Sequence, residues 1–267
     1  MNKRLERILS FLITTLFIMA LSCSTKDPTQ PSMTFSTCSL VWQDDFESNL
    51  SNRWRIADRT FDHNLCEFSS NMVTVENGAL LLGVDIKSTT EGVFPEKPYW
   101  GGECYSASSY MYGRFETVMK PNSLPGLVTS FFLLEVVKDV DNSLFDWYEI
   151  DIEFAGKTDE ISFALHWMTD RVKQSSVKVV KLDFDAAEAF HKYAIEWTPT
   201  SIQFIIDDAS AAVFDDSDIL KEFQHKMTLH MNYWVSDNAA WAGAFQESVL
   251  PQQTSYSSIA YYKLVET

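Results

Sequence analysis

The stretch WYEIDIEF, residues 147–154, decides the fold of this chain. Polar and apolar residues alternate along it with a period of two, which predicts a β-strand. The four odd-numbered residues, Trp147, Glu149, Asp151 and Glu153, share one face, and the four even-numbered ones are aromatic or aliphatic. One face is therefore suited to a core, and the other presents three carboxylates in a row.

Short β-rich runs recur on both sides of this stretch, with turn signals such as Asn77-Gly78 between them and no long amphipathic helix. The predicted strands cover 40–43, 72–76, 79–84, 113–120, 128–135, 148–155, 161–167, 176–184, 191–197, 201–207, 226–234 and 259–265. So many strands without intervening helices predict an all-β fold, an antiparallel sandwich or barrel.

The composition excludes some functions. The 267 residues are 46% hydrophobic and 22% charged, with a formal net charge of −16. Such a chain builds a sizeable core, and it lacks the excess of Lys and Arg with which a protein neutralises phosphates. We therefore expect no nucleic-acid partner and no basic patch for a membrane surface.

The N-terminus is typical of an export signal. Lys3, Arg4 and Arg7 precede an apolar run over 8–21, which is too short for a membrane span and suits a signal peptide. Cys23 follows small residues and resembles a bacterial lipoprotein cleavage site, with an ordinary signal peptide as the alternative. We predict a signal peptide over 1–22, a lipid on Cys23, a flexible tether over 23–37 and a catalytic domain over 38–267. The mature protein would be at the outer membrane or cell surface, attached only by its lipid.

The three carboxylates point to a chemistry. Neighbouring charges and the adjacent Trp147 raise carboxyl pKa values, and glycosidases need one ionised and one protonated carboxyl close together. On a flat strand Glu149 and Glu153 would be ~13 Å apart at Cα. Glycosidase pairs are about 5–9.5 Å apart, so this interpretation requires a concave sheet. The alternative is a solvent-facing acidic strand.

The motif resembles the active-site strand of glycoside hydrolase family 16, and the resemblance extends over about residues 40–265. Further segments that resemble the family are YGRFE at 112–116, GLVTSFF at 126–132, FHKYAIEWTP at 190–199, IQFIID at 202–207, MNYW at 231–234 and WAG at 241–243. The resemblance implies a two-sheet jelly roll with a concave substrate cleft. It also implies that Glu149 is the nucleophile, Glu153 the acid/base, and Asp151 the residue that tunes the pair.

The spacing within the motif bears on the substrate. The regular E-x-D-x-E resembles lichenases and the xyloglucan-active branch, whereas laminarinases typically have one residue more. We expect a retaining endo-β-glucanase acting on a neutral mixed-linkage β-1,3-1,4-glucan. The alternatives are a laminarinase-type endo-β-1,3-glucanase, a transglycosylase, and a non-catalytic carbohydrate-binding, lectin-like module on the same fold.

Eight further residues are candidates for substrate binding. Aromatic rings stack on sugar faces, and polar groups fix hydroxyls. The resemblance places Tyr105 where lichenases have an Arg, and Ala164 and His166 where they have an Asn and a Tyr. The candidates are Trp100, Glu103, Tyr105, Trp147, His166, Asn232, Trp234 and Trp241.

Cysteine chemistry and cofactors complete the predictions. In an exported chain the three cysteines other than Cys23 permit one disulfide, for which we favour Cys66–Cys104. No Cys/His spacing indicates zinc. Family members often bind calcium through an Asp near the C-terminus, and Ala260 stands in its place. We therefore expect no metal or other cofactor, and a monomer.

Overall fold

A computed structural model of the chain describes residues 38–88, 91–138, 145–169 and 171–264. All of them fall within the catalytic domain predicted over 38–267. The predicted signal peptide, Cys23 and the tether lie outside the described residues. Within these ranges no helix is long and apolar enough to cross a membrane.

Sixteen strands make up most of the described chain, joined by turns and a few single-turn helices. The strands are β1 Cys38–Asp44, β2 Trp54–Ile56, β3 Cys66–Phe68, β4 Val73–Glu76, β5 Ala79–Ile86, β6 Tyr99–Tyr110, β7 Gly113–Lys120, β8 Leu127–Lys138, β9 Phe145–Ala155, β10 Glu160–Thr169, β11 Val172–Lys181, β12 His191–Trp197, β13 Ile202–Ile206, β14 Ala209–Phe214, β15 Met227–Val235 and β16 Gln252–Leu264. The helices are Ser70–Met72, Ser217–Leu220, Ala239–Ala242 and Glu247–Val249.

The strands form two layers that share β6 and are antiparallel except for the short parallel pair of β3 with β6, so the predicted sandwich is confirmed. One layer, the cleft sheet, runs in the order β11-β10-β9-β8-β15-β6. The other, the back sheet, runs β5-β16-β7-β12-β13-β14. β6 pairs with β15 through one part of its length and with β5 through the other, and so passes from one layer to the next.

Aromatic side chains between the layers hold them together. Phe163 of β10 stacks on Phe204 of β13 with ring centroids 4.7 Å apart, and Phe154 of β9 meets Tyr193 of β12 edge-on. Phe154 comes from the even-numbered, apolar face that the sequence pattern predicts for residues 147–154. Burying each ring removes a large apolar area from water and fixes the distance between the sheets.

The disulfide predicted between Cys66 and Cys104 is wrong, because both residues are free thiols in the structure. Cys66 pairs with Tyr99 of β6, and its Cβ is close to Gly101, where an added Cβ would be 2.9 Å away. Cys104 is three residues further along β6, at about 10 Å for a strand, and on the other face. Bridged cysteines need Cα atoms 4.4–6.8 Å apart. Val235 N instead donates a hydrogen bond to Cys66 Sγ.

One buried hydroxyl ties the back sheet to the cleft sheet. Tyr256 of β16 is fully buried, and its hydroxyl donates to Ser130 O at 2.8 Å. Ser130 of β8 lies beside Glu153 in the strand register. Tyr256 therefore fixes the backbone that carries the centre of the cleft sheet.

Replacing Tyr256 with Phe removes this hydroxyl and leaves Ser130 O without its donor. We expect a loss of about 1–2 kcal/mol in the free energy of unfolding, or roughly 2–8 °C in Tm. Differential scanning calorimetry measures it, with the half-exposed Tyr262→Phe on the same strand as the matched control. Equal Tm values for the two variants would show that the hydroxyl adds nothing.

Candidate active site

The odd-numbered residues of β9 from Trp147 to Glu153 lie at the floor of a cavity of about 780 Å³. Five adjacent strands of the cleft sheet, β11, β10, β9, β8 and β15, contribute to its lining, so this face of the sheet is concave. Glu149, Asp151 and Glu153 all line it. The curvature that the glycosidase interpretation requires is therefore present, and the alternative of a flat solvent-facing strand does not describe the chain.

β9 is regular along its catalytic stretch. Its pairing with β8 continues from Trp147 to Ala155 without a shift of register, and its pairing with β10 is continuous from Trp147 to Glu153. The strand thus contains no bulge, as the E-x-D-x-E spacing predicts. The three carboxylates keep a strict two-residue period and remain on one face.

Side chains of the neighbouring strands form rows with the carboxylates. Glu149 lies between Leu134 of β8 and His166 of β10. Asp151 lies between Phe132 and Ala164. Each carboxylate therefore has an apolar or weakly polar neighbour on at least one side, and water is partly excluded.

Glu153 has a more polar setting than the other two. It lies between Ser130 and Ser162 in the strand register. Ser130 Oγ donates to Glu153 Oε1 at 3.5 Å, a contact that stabilises the ionised form.

Burial raises the pKa of all three carboxyls. For Glu149, desolvation is the larger cause and the charge of Glu153 adds to it. Asp151 is raised by desolvation and by the charges of both glutamates. Desolvation also raises the pKa of Glu153, against the hydrogen bond from Ser130. The three groups therefore share fewer than three charges near neutral pH, the condition that acid/base work needs.

Asp151 is the most deeply buried of the three, at 3% exposure. Its Oδ2 has no hydrogen-bond donor within the described part of the chain. His166 Nε2 lies 3.9 Å away, and burial lowers the pKa of this histidine, which favours its neutral form. Asp151 is thus placed to hold a proton between its two neighbours.

The structure brings five of the eight predicted binding residues to the cavity: Trp147, His166, Asn232, Trp234 and Trp241. Trp147 and His166 form one rim, with ring centroids 6.1 Å apart. Trp234 packs edge-on against Phe61 at 4.9 Å and lies 6.0 Å from Trp241, which is 36% exposed. Aromatic faces therefore border the cavity at opposite ends of the strands.

The other three predicted residues do not line the cavity. Trp100 lies under Lys87 Nζ, 4.7 Å from the ring centroid, beside the buried Lys87–Glu67 ion pair. Its prediction as a sugar platform is wrong, because β6 has passed into the back sheet at this point. Glu103 is fully buried beneath Arg59, and Tyr105 lines a smaller hollow of about 270 Å³ next to the cavity.

Sequence reasoning missed the loop between β2 and β3. Arg59, Phe61, Asp62 and His63 of this loop line the cavity. They follow no period, so no local pattern marks them. Exposed valines of β11, Val177 and Val179, line the opposite side and were also missed as site residues.

No group of three His, Cys, Asp or Glu side chains able to hold a metal ion occurs in the described ranges. Ala260, which stands in the calcium position by resemblance, is buried in β16. The absence of a metal and of other cofactors stays a prediction.

The geometry agrees with comparisons to known proteins. Residues 61–253 match the family model of glycosyl hydrolases family 16. The chain belongs to this family. It is 30% identical over 192 residues to a β-glucanase of Fibrobacter succinogenes, a match covering 71% of this chain and about half (54%) of that protein. A β-glucanase of Bacillus licheniformis is 30% identical over 78% of both chains.

A solved structure extends the family likeness to the three-dimensional fold. The chain is similar to a β-1,3-1,4-glucanase (lichenase) from a mouse hindgut metagenome, with a TM-score of 0.69 and 27% identity. The similarity covers 82% of this chain and 97% of that one. The family assignment made from the residues alone is therefore confirmed.

Replacing Asp151 with Asn removes one of three buried carboxyls that repel one another when they ionise. Folding raises this carboxyl's pKa, so its contribution to stability is present at low pH and is lost as the pH rises towards the raised value. We expect Asp151→Asn to raise Tm by roughly 2–8 °C at pH 8 and by less at pH 5. Thermal melts at the two pH values measure this, with the exposed Asp215→Asn as control. A pH-independent change would contradict the shared-charge account.

Proposed function

We propose that the protein is a retaining endo-β-glucanase that cleaves mixed-linkage β-1,3-1,4-glucan by double displacement. The observation that carries the proposal is the pair Glu149 and Glu153 on one face of β9, facing one cavity, with Asp151 between them. An open cleft lined along its length suits an internal stretch of a polysaccharide.

The roles follow from the chemistry of a retaining glycosidase. Glu149, ionised, attacks the anomeric carbon, while Glu153 gives its proton to the leaving oxygen. The glycosyl ester on Glu149 is then cleaved by a water molecule from which Glu153 takes a proton. Asp151 changes its own protonation state as Glu149 and Glu153 change theirs.

Two variants separate these roles. We expect Glu153→Gln to lower the rate on glucan about 10²–10⁴-fold, since a general acid is lost. On an aryl β-glucoside whose leaving group needs no proton, it should still form the glycosyl ester on Glu149 and release one equivalent of the phenol in a burst, while hydrolysis of the ester slows because the general base is lost. Glu149→Gln should lose activity on both substrates, because no nucleophile remains. Glu76→Gln, exposed on β4, is the control. A burst of phenol from Glu149→Gln and none from Glu153→Gln would contradict the assignment.

The mixed-linkage substrate is supported by the unbulged β9 and by the similarity to a lichenase. His166 in the cleft favours a second candidate, β-1,3-glucan, since its strand resembles that of laminarinases. Reducing-sugar release from mixed-linkage glucan, laminarin and xyloglucan in parallel decides between them. Release from laminarin alone would replace our substrate by the second candidate.

We also propose that the mature protein is a lipoprotein of the outer membrane or cell surface, anchored through Cys23. The support is the sequence over residues 1–37. We expect incorporation of labelled palmitate by the full chain and none by Cys23→Ala. Labelling that persists in the variant would contradict the anchor.

A further inference from the structure

The carboxylates alone do not say which glutamate of the pair is ionised. Glu149 and Glu153 flank Asp151 at equal sequence distance on the same face of one strand. Burial raises the pKa of both. Double displacement needs an unequal pair, so some group outside β9 has to distinguish the two ends of the row.

Arg59 is a cation at one end of this row. It lies on the loop between β2 and β3, and its side chain is 39% exposed. Arg59 lines both the cavity of about 780 Å³ and the smaller hollow of about 270 Å³. Leu134 and Val136 also line both of them. Leu134 is the register neighbour of Glu149 on β8, so the guanidinium is at the Glu149 end.

A buried carboxylate holds Arg59 in this position. Its Nε donates to Glu103 Oε1 at 3.2 Å, and a terminal amino group donates to the same oxygen. Glu103 is fully buried on β6, where an unpaired charge would be costly. The guanidinium is therefore fixed at its Glu103 side.

Glu103 is in turn held by β15. His230 Nδ1 lies 3.1 Å from Glu103 Oε1, and His230 Nε2 lies 2.7 Å from Thr228 Oγ1. Phe132 and Tyr105 stack on the His230 ring at 4.8 and 5.2 Å. The chain Thr228–His230–Glu103–Arg59 is thus packed and hydrogen-bonded along its length.

The charges facing Glu149 are unequal in sign. Asp151 and Glu153 on β9 and Glu103 on β6 are acidic. His166 on β10 is a half-buried imidazole and His230 on β15 a buried one, and Asp62 and His63 also line the cavity. The positive charge of Arg59 lowers the pKa of Glu149 by more than the negative charge of Glu103 raises it. At Glu153, the effect that opposes burial and lowers the pKa is the hydrogen bond from Ser130, which is a neutral group.

We propose that Arg59, held by the buried Glu103–His230 pair, is a positioning residue that favours the ionised form of Glu149, the carboxylate at its own end of the row. The inference rests on the proposed double displacement for its meaning. The group that would use this asymmetry is the nucleophile, which must be charged while the acid at the other end of the row keeps its proton.

The test is the pH dependence of kcat/KM on the polysaccharide that the protein cleaves. The acidic limb reports ionisation of the nucleophile in the free enzyme. We expect Arg59→Gln to move this limb to higher pH by about 0.5–1 unit, since a nearby cation no longer favours the carboxylate. Arg59→Lys should bring the acidic limb most of the way back to its wild-type position. Arg55→Gln, exposed on the neighbouring β2, should leave the limb unchanged.

The double variant Arg59→Gln/Glu103→Gln removes both charges and leaves no unpaired buried carboxylate. It covers the case in which Arg59→Gln alone does not fold. We expect the acidic limb to stay displaced upward, because the effect of Arg59 on Glu149 exceeds that of Glu103. A lowered rate with an unmoved limb in the folded variants would reduce Arg59 to a structural role and overturn the proposal.

A titration without substrate separates this proposal from the proposed function. Carbon-13 NMR of glutamate carboxyls in the intact protein, with Glu149 assigned through Glu149→Gln, gives its midpoint directly. We expect the midpoint to rise by the same amount in Arg59→Gln. An unchanged midpoint overturns the role of Arg59 even in an active glucanase. A raised midpoint in a protein that cleaves no glucan upholds it while the proposed function fails.

Discussion

The rest of this structure depends on one constraint, the mutual repulsion among three carboxylates that are partly shielded from water. A strand with a two-residue period places Glu149, Asp151 and Glu153 on one face, and burial then prevents all three from being charged together. The arrangement costs stability. It persists because β8 and β10 pair with β9 over its length and hold the carboxylates in place.

Packing against the back sheet offsets the stability lost to the buried carboxylates. The even-numbered side chains of β9 belong to the core, and Ile150, Ile152 and Phe154 are fully buried. Phe154 packs against Tyr193 of the back sheet, and Tyr256 bonds the backbone of β8 from the same side. The residues of the motif therefore divide into two roles. Odd positions supply the chemistry, and even positions fasten the strand that carries it.

The sequence predicted the parts of the site that follow a period. β9, its regular spacing and the rim residue Trp147 come from alternation along one strand, and His166 comes from the resemblance of the next strand to the family. β6 could not be predicted, because Gly101 and Gly102 interrupt its pattern. An added Cβ on Gly102 would lie 2.6 Å from Met72 O, so the glycine serves a close approach that only the tertiary structure reveals.

The residues that support the three carboxylates could not be predicted from the sequence for a related reason. Arg59 lies on an aperiodic loop, and its partner Glu103 is 44 residues away along the chain. Glu103 was predicted to bind substrate, but the structure gives its contacts to Arg59 and His230. The disulfide prediction failed similarly, since a count of three thiols permits one bridge but does not place Cys66 and Cys104 next to each other.

The most direct test of the central claim is the anomeric configuration of the first product, followed by proton NMR during cleavage of a β-glucan. Double displacement through Glu149 and Glu153 predicts that the β-anomer forms first and the α-anomer appears later by mutarotation. Initial release of the α-anomer would mean single displacement by water, and would contradict a nucleophilic role for Glu149.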